Sequence, residues 1–217
     1  MDILDDINSE MITNLKKKSS KFFKLMMQYE CAMIEVKTKL DVLNKELSMY
    51  EERNSFDTVL TRLKAPESIC AKLERFGYEF NVENIEKHIE DVAGLRVICS
   101  FKDDIYNIAK FLSLQDDIKV VLIKDYILDP KPNGYRSFHI VLSVPIFLST
   151  EKKYMKVEVQ FRTIAMDFWA SLEHKMKYKK DISNAEEITA DLLECADLIS
   201  VVDERMNTIR GRIEGKE

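Results

Sequence analysis

The sequence contains few of the residues that interrupt regular structure. Its 217 residues include only 5 Gly and 4 Pro, and neither type occurs before Pro66. Because linkers and disordered tails are rich in such residues, we expect one domain spanning residues 1–217. A chain of this length buries about 70% of the surface that it exposes when unfolded, so its core needs no disulfide bonds.

Cysteine is also scarce, and its four residues are scattered: Cys31, Cys70, Cys99 and Cys195. They form no Cys-x-x-Cys pair, which argues against a zinc knuckle and a disulfide framework and favours a reducing, cytoplasmic location. Long hydrophobic runs are missing too, since the longest apolar stretch, residues 140–148, is interrupted by Ser143 and Pro145. It is far shorter than the roughly 20 residues of a membrane helix, so we predict neither a membrane span nor a signal peptide.

The chain has no excess of positive charge. It carries 33 Lys and Arg against 38 Asp and Glu, a formal net charge of −5. Binding along duplex nucleic acid draws mainly on surplus Lys and Arg. We therefore expect no nucleic acid to be required, although basic clusters can still form locally.

Both ends of the sequence show the heptad spacing of amphipathic helices. The N-terminal rows are Leu15, Phe22, Tyr29, Val36, Leu43 and Tyr50, with Met26, Met33, Leu40 and Leu47. The C-terminal rows are Leu192, Ile199, Met206 and Ile213, with Cys195, Val202 and Ile209. We predict helices within residues 1–56 and 183–215. The apolar stripes either pack on the chain's own core or build an oligomer, and we favour the oligomer.

Between these ends, at residues 57–180, the hydrophobic period changes to two. Four segments rich in β-branched residues are predicted strands: 94–101, 119–127, 137–145 and 155–163. Residues 103–114 and 66–76 are predicted helices, the latter because Pro66 suits a first helical turn and Gly77 a position beyond the end. Helices alternating with strands indicate an α/β or α+β domain around a mixed sheet.

A first polar cluster combines Arg62, Lys64, Ser68 and Lys72 around the start of the predicted helix. Ser68 and Lys72 share a helix face because they are four residues apart. Cations near a helix N-terminus attract polyphosphates. By spacing alone, however, a solvated helix with ordinary surface lysines is the more common explanation.

A second group consists of carboxylates on strands. Glu158, Gln160 and Arg162 alternate with apolar residues, and Asp91 precedes the strand that carries Arg96. On an edge strand, such a polar face would meet water. If Asp91 and Glu158 meet instead, they suit Mg²⁺, which takes one or two carboxylates together with substrate phosphate oxygens.

A third group surrounds a Pro-Asn-Gly turn. The Asn-Gly pair is a hairpin signal, which accounts for Asn133 but not for the cation, ring and imidazole of Lys131, Tyr135 and His139. Lys124 lies on the strand before this turn. A histidine such as His139 is by itself more often structural than catalytic.

The segment after the last predicted strand adds a cap and an aromatic group. Thr163 suits the cap of the following helix. Phe168, Trp169 and Leu172 have a spacing that is more often core than a platform for stacking bases.

Together these stretches resemble the small alarmone synthetases of the RelP/RelQ type, the single-domain branch of the RelA/SpoT family. The similar motifs lie at residues 62–72, 91–96, 124–127, 131–139, 158–163 and 165–174. The resemblance implies a nucleotidyltransferase-like synthetase domain flanked by helices. It also implies transfer of the β,γ-pyrophosphate of ATP to the ribose 3′-OH of GDP or GTP, giving ppGpp or pppGpp and AMP.

The resemblance assigns a set of residues to ATP. Arg62 and Arg96 would sandwich the adenine, a task that suits the flat guanidinium. Lys64, Ser68 and Lys72 would hold the phosphates.

The resemblance assigns other residues to the metal and the acceptor. Asp91 and Glu158 would bind Mg²⁺, and Glu158 would also orient or deprotonate the 3′-OH. Tyr135 would stack on guanine. The expected neighbours of the acceptor are Lys124, Lys131 and His139 at the 5′-phosphates, with Asn133 and Gln160 nearby. Arg162 matches the family without an assigned role.

Departures from the family and competing explanations complete the expectations. The sequence has no His-Asp pair, so we expect synthesis without the hydrolase activity of the long relatives. The RelP/RelQ resemblance implies a homotetramer. RelQ-type members are also activated by alarmone, but Thr58 stands where they are expected to carry an aromatic residue, which argues against such activation here.

Two other functions compete with this one. The alternatives are another nucleotidyltransferase-like enzyme and a coiled-coil or RNA-binding regulator. The regulator leaves Asp91 and Glu158 unexplained.

Overall fold

The fold is a mixed α+β domain with a long helix at each end, as the sequence predicts. A computed structural model describes residues 2–51, 53–177 and 185–215. The elements are α1 Asp2–Glu51, β1 Phe56–Leu63, α2 Pro66–Arg75, α3 Val82–His88, β2 Ala93–Cys99, α4 Lys102–Ser113, β3 Lys119–Asp125, β4 Phe138–Phe147, β5 Lys152–Thr163, α5 Ile164–Lys177 and α6 Ala185–Ile213. The predicted boundaries at 180 and 183 lie outside the described residues.

The sheet has five strands in the order β1-β2-β5-β4-β3. β2 and β5 run parallel, and the other neighbouring pairs are antiparallel. Four of the strands lie where the sequence predicts them, but β1 was not predicted. Its outward positions include Leu60 as well as Arg62, so the alternation of apolar and polar residues along this edge strand is weak.

Helix α1 covers one face of the sheet with the central part of its predicted stripe. Tyr29, Val36 and Leu40 are fully buried in the main core together with residues of β2, β4 and β5. Packing on the chain's own core therefore accounts for this part of the stripe, and the oligomer explanation is wrong there. Tyr50 at the end of the row is exposed, and Leu15 lies outside the described side chains.

The predicted apolar stripe of helix α6 is covered only near its start. Leu192 and Ala196 pack in a second, small core with Trp169 and Ala170 of α5. Further along, Val202, Met206 and Ile213 are exposed among other apolar residues, so an oligomer built on this helix stays a prediction. Among the described residues, no helix is both long and apolar enough to cross a membrane.

A buried carboxylate ties the end of α6 to the rest of the domain. Asp104 on α4 is 2% exposed and accepts two hydrogen bonds from Arg53, at 3.0 and 2.8 Å. It also caps its own helix by accepting a hydrogen bond of 3.2 Å from the Phe101 backbone N–H. Arg210 of α6 lies 3.5 Å from the same carboxylate. One anion thus neutralises cations from both helical ends.

We expect Asp104→Ala to lower the free energy of unfolding by about 3–5 kcal/mol, because it removes the buried anion that accepts two hydrogen bonds from Arg53. Urea denaturation measures this difference. The matched control is Asp103→Ala, since Asp103 pairs with Arg210 but its side chain is 56% exposed. Such a surface pair contributes about 0–1 kcal/mol. Equal losses in the two variants would contradict the account.

Candidate active site

Polar residues from all five strands meet on the sheet face opposite α1. The strand registers align residues that are far apart in the sequence. One row across the sheet consists of Leu60, Arg96, Gln160, His139 and Lys124. The next row consists of Arg62, Gly94, Glu158, Val141 and Leu122. Paired residues point to the same side of a sheet, so this face gathers six of the predicted site residues.

The position of β5 decides the environment of its polar residues. The strand lies in the middle of the sheet, between β2 and β4. Glu158 and Gln160 are accordingly half-buried, and Arg162 is buried. Of the two alternatives for this strand, the water-facing edge is therefore excluded, and its polar residues line a site.

Two lysines converge on Asp91, just before β2. Lys64 Nζ donates to Asp91 Oδ2 at 2.8 Å, and Lys72 Nζ donates to Oδ1 at 2.7 Å. Burial tends to raise the pKa of Asp91, but the two lysines outweigh it and hold the pKa below its ordinary value. The interpretation of Lys64 and Lys72 as ordinary surface lysines is thus wrong. Ser68 is half-buried one turn before Lys72, whereas Arg62 is exposed.

Glu158 is the second carboxylate of the site. Gln160 Nε2 donates to its Oε2 at 2.7 Å, and His139 Nδ1 lies 3.4 Å from its Oε1. Burial and the charge of Asp91 both raise the pKa of Glu158. The contacts with His139 and Gln160 lower this pKa by more, so the net pKa lies below its usual range. The carboxylate is therefore ionised at neutral pH.

Asp91 and Glu158 form a donor set that fits Mg²⁺. The charge of Asp91 raises the pKa of Glu158, as a second carboxylate of the same site would. Gly94, the partner of Glu158 on β2, adds no side chain beside it. Two carboxylates with room for phosphate oxygens match the ligands that Mg²⁺ prefers. Within the described ranges, no group of three or more His, Cys, Asp and Glu side chains could hold a metal alone.

The predicted turn at residues 131–139 is held tightly against α6. Gly134 has a φ of +85°, and its N–H donates to Lys131 O at 2.8 Å. A Cβ at this position would lie 2.5 Å from Ala196 Cβ, so both the conformation and the close approach require glycine. Asn133 Oδ1 accepts from the Tyr135 N–H at 3.3 Å, and its Nδ2 donates to Glu173 at 3.2 Å.

The Tyr135 side chain is fixed by its hydroxyl. Arg162 Nη2 donates to this oxygen at 2.9 Å, and His139 Nε2 lies 3.0 Å from it. Because a guanidinium only donates, the hydroxyl oxygen accepts from Arg162, and the two ring nitrogens of His139 lie between this oxygen and the Glu158 carboxylate. A continuous polar chain therefore runs from Glu158 to Arg162. Lys131 Nζ lies 5.0 Å from the Tyr135 ring centroid.

The structure adds Asp167, which the sequence motifs contained but did not single out. Its Oδ1 accepts hydrogen bonds from Arg162 Nη1 at 2.8 Å and Arg96 Nη1 at 3.4 Å. Thr163 caps α5, as predicted, by accepting the Met166 N–H at 3.2 Å. The cap turns the chain so that Asp167 faces back toward β5. The sequence offered one signal for Asp167, because an acidic residue lies in the first turn of the helix that follows the strand carrying Arg162.

Other expected residues lie apart from this network. Lys124 is exposed at the end of the row, on the edge strand β3. The prediction of core packing holds for Trp169 but is wrong for Phe168 and Leu172, which are 59% and 41% exposed. The physical reason is that α5 turns Met166, Trp169 and Ala170 inward, so neighbouring positions face outward.

The sequence is similar to known proteins over most of its length. Residues 61–183 match the family described as "Region found in RelA / SpoT proteins". Over 209 residues the chain is 38% identical to the GTP pyrophosphokinase YwaC of Bacillus subtilis (strain 168). The alignment covers 96% of this chain and 100% of that protein.

Solved structures agree with this match. The small alarmone synthetase 2 from Bacillus subtilis superposes with a TM-score of 0.78 at 40% identity, over 88% of this chain and 98% of that one. The small alarmone synthetase 1 from Bacillus subtilis bound to its product pppGpp gives a TM-score of 0.79 at 34% identity, over 88% and 97%. The chain therefore belongs to the RelA/SpoT family, and within it the chain is similar to the small alarmone synthetases.

Proposed function

We propose that the chain transfers the β,γ-pyrophosphate of ATP to the ribose 3′-OH of GDP or GTP in a Mg²⁺-dependent reaction. The products are ppGpp or pppGpp and AMP. The chain is a GTP pyrophosphokinase, a function supported by its family and by its similarity to proteins of that name. The observation that carries the finer proposal is the convergence of Lys64 and Lys72 on Asp91, beside the sheet face that holds Glu158.

The donor nucleotide would bind where cations already hold an anion. Lys64 and Lys72 each bond one oxygen of Asp91, and a triphosphate offers both lysines replacement oxygens. This exchange frees the Asp91 carboxylate for a cation that accompanies the nucleotide. Ser68 lies on the same helix face as Lys72 and adds a hydroxyl. Arg62 and Arg96 occupy neighbouring strands and would take the two faces of the adenine.

Asp91 and Glu158 would hold the Mg²⁺. When bound, the ion supplies charge neutralisation for the phosphate oxygens and draws the donor phosphates into line. The lowered pKa of Glu158 suits a ligand of a cation, and its place on the same sheet face would let it orient or deprotonate the 3′-OH. The new bond joins O3′ to Pβ, the bridge from Pβ to the α-phosphate breaks, and AMP leaves with the bridging oxygen.

The acceptor nucleotide would lie along the turn at residues 131–139. Tyr135 offers its ring to guanine, while exposed Lys124 and Lys131 can meet the 5′-phosphates. The contacts of His139 differ from those expected, because its two nitrogens face Glu158 and Tyr135. We therefore assign His139 to orienting these two residues, and Asn133 to shaping the turn.

Synthesis without hydrolysis, and a cytoplasmic location, complete the proposal. The His-Asp motif of the hydrolase domain is absent from the sequence. The test of the proposed function is incubation of the purified protein with labelled ATP, Mg²⁺ and either GDP or GTP, followed by separation of products. AMP and (p)ppGpp are expected. Release of pyrophosphate with nucleotide incorporation would identify another nucleotidyltransferase, and absence of turnover would favour a regulator.

We expect Glu158→Gln to lower kcat at least about 10²-fold, because the variant loses a metal ligand and proton acceptor. Circular dichroism should show an unchanged fold. The matched control is Glu151→Gln at an exposed loop position, where the Glu151 side chain bonds only Lys24 among the described residues. Near-normal turnover of the Glu158 variant would remove this residue from the mechanism.

Tyr135→Ala should weaken the acceptor nucleotide far more than ATP. Stacking of a base on an aromatic ring contributes about 1–3 kcal/mol, or roughly 5–150-fold in affinity. Tyr135→Phe keeps the ring but removes the hydroxyl, so it should keep most of the acceptor affinity. Titration with GDP and with an ATP analogue measures both effects. Equal weakening of the two nucleotides would indicate a collapsed turn rather than lost stacking.

We also propose that the chain forms a homo-oligomer through α6, and the resemblance to RelP/RelQ-type proteins favours a tetramer. Its outward face carries exposed apolar residues over several turns: Leu198, Val201, Val202, Met206, Ile209 and Ile213. A contiguous apolar face of this kind marks an interaction surface. A second copy of the same helix supplies a matching face, and closed symmetry leaves no face uncovered.

The double change Val202→Glu and Met206→Glu should therefore reduce the mass measured by light scattering. Charges at these positions would have to be desolvated in the assembly. Leu114→Glu, at a site that is 70% exposed but outside α6, is the control and should leave the mass unchanged. A mass of one chain for the unmodified protein at every concentration would show that the oligomer does not exist.

A further inference from the structure

Asp167 occupies the point where the proposed donor and acceptor sites touch. Its Oδ1 accepts from both Arg162 and Arg96. Arg96 belongs to the proposed adenine site, whereas Arg162 bonds the hydroxyl of Tyr135 in the proposed guanine site. A single carboxylate oxygen therefore joins Arg96, which would stack on adenine, to Arg162, which holds the ring that would stack on guanine.

The charges around Asp167 require its presence. Burial lowers the pKa of Arg96, and the nearby charge of Arg162 lowers it further, while Asp167 raises it. The charge of Arg62 also lowers the pKa of Arg96. Arg162 is only 5% exposed and cannot turn out to water. Without Asp167, the buried guanidinium of Arg162 would face the half-buried guanidinium of Arg96 with no anion between them, and Arg96 would move away.

Arg162 connects Asp167 to the turn at residues 131–139. Its Nη1 bonds Asp167, its Nη2 bonds the Tyr135 hydroxyl, and its guanidinium carbon lies 5.1 Å from the Tyr135 ring centroid. These contacts fix both the hydroxyl and the plane of the ring. The orientation of Tyr135 therefore depends on the same anion that orients Arg96.

We propose that Asp167 is a positioning residue that couples the two nucleotide sites, so that each bound nucleotide raises the affinity for the other. The inference rests on the proposed function. A base stacked on Arg96 restrains this guanidinium and its bond to Asp167, so less freedom is left to lose when a second base stacks on Tyr135. By linkage, the effect is the same in both directions.

The test is a binding cycle on the full chain. The affinity for α,β-methylene ATP, which cannot transfer pyrophosphate, is measured with Mg²⁺ in the absence and presence of saturating GDP, and the affinity for GDP is measured likewise. For each nucleotide, the coupling factor is its affinity in the presence of the other nucleotide divided by its affinity in the absence of the other nucleotide. For the unmodified protein we expect about 5–150-fold, the usual range of coupling between sites.

Two variants of the link should lose the coupling. Asp167→Asn keeps the size and one acceptor oxygen but removes the charge, and Arg162→Lys keeps the charge but cannot bond Asp167 and Tyr135 as a planar fork. In both, the factor should fall toward one. The control is Asp197→Asn, because Asp197 pairs at 2.8 Å with Arg136 of the same turn but has no described contact with Asp167. It should keep the full factor.

The outcomes separate this inference from the function on which it rests. A variant that is merely less stable would weaken each nucleotide alone without changing the ratio, and such an unchanged ratio overturns the inference. An unmodified protein that binds both nucleotides with a factor near one also overturns it, while the proposed function stands. An unmodified protein that binds neither nucleotide overturns both.

Discussion

The alternation of side chains along the central strand β5 is the constraint on which the rest of the structure depends. Val157, Val159 and Phe161 point into the core, so Glu158 and Gln160 must point to the opposite face. Because the period is two, a shift of one residue would exchange the faces and bury the carboxylate in the core. Core packing therefore fixes the orientation of the site, and neighbouring strands align their polar residues to it.

Charge compensation is the second organising feature. The site collects many cations, and buried cations need anions close by. Asp91 serves Lys64 and Lys72, and Asp167 serves Arg96 and Arg162. These pairs differ in what a nucleotide would do to them. A triphosphate would compete for the lysines because it offers the same kind of oxygen, whereas stacked bases would leave the arginine pairs intact.

The helical ends serve the site indirectly. Helix α6 lies against the turn at residues 131–139, where Gly134 meets Ala196. The backbone carbonyl of Leu192 in α6 also accepts a hydrogen bond of 2.9 Å from Trp169. Its far end is tied through Arg210 to Asp104. Helix α1 closes the other side of the sheet. The turn that carries Tyr135 is therefore supported by an element that is distant in the sequence, since Gly134 meets Ala196.

Local pattern was enough to predict several features from the sequence. The period of two located four strands, Pro66 and Thr163 marked helix starts, and alternation separated Glu158 from its apolar neighbours, because each of these depends on residues a few positions apart. Only the tertiary structure decided that β5 is central, that Lys64 and Lys72 meet Asp91, and that Arg162 bonds Tyr135. It also decided that the stripe of α1 is covered by the chain's own sheet whereas that of α6 is mostly exposed. The physical reason is that strand order and helix packing are settled by contacts between distant segments, and the spacing within one segment does not encode its neighbour.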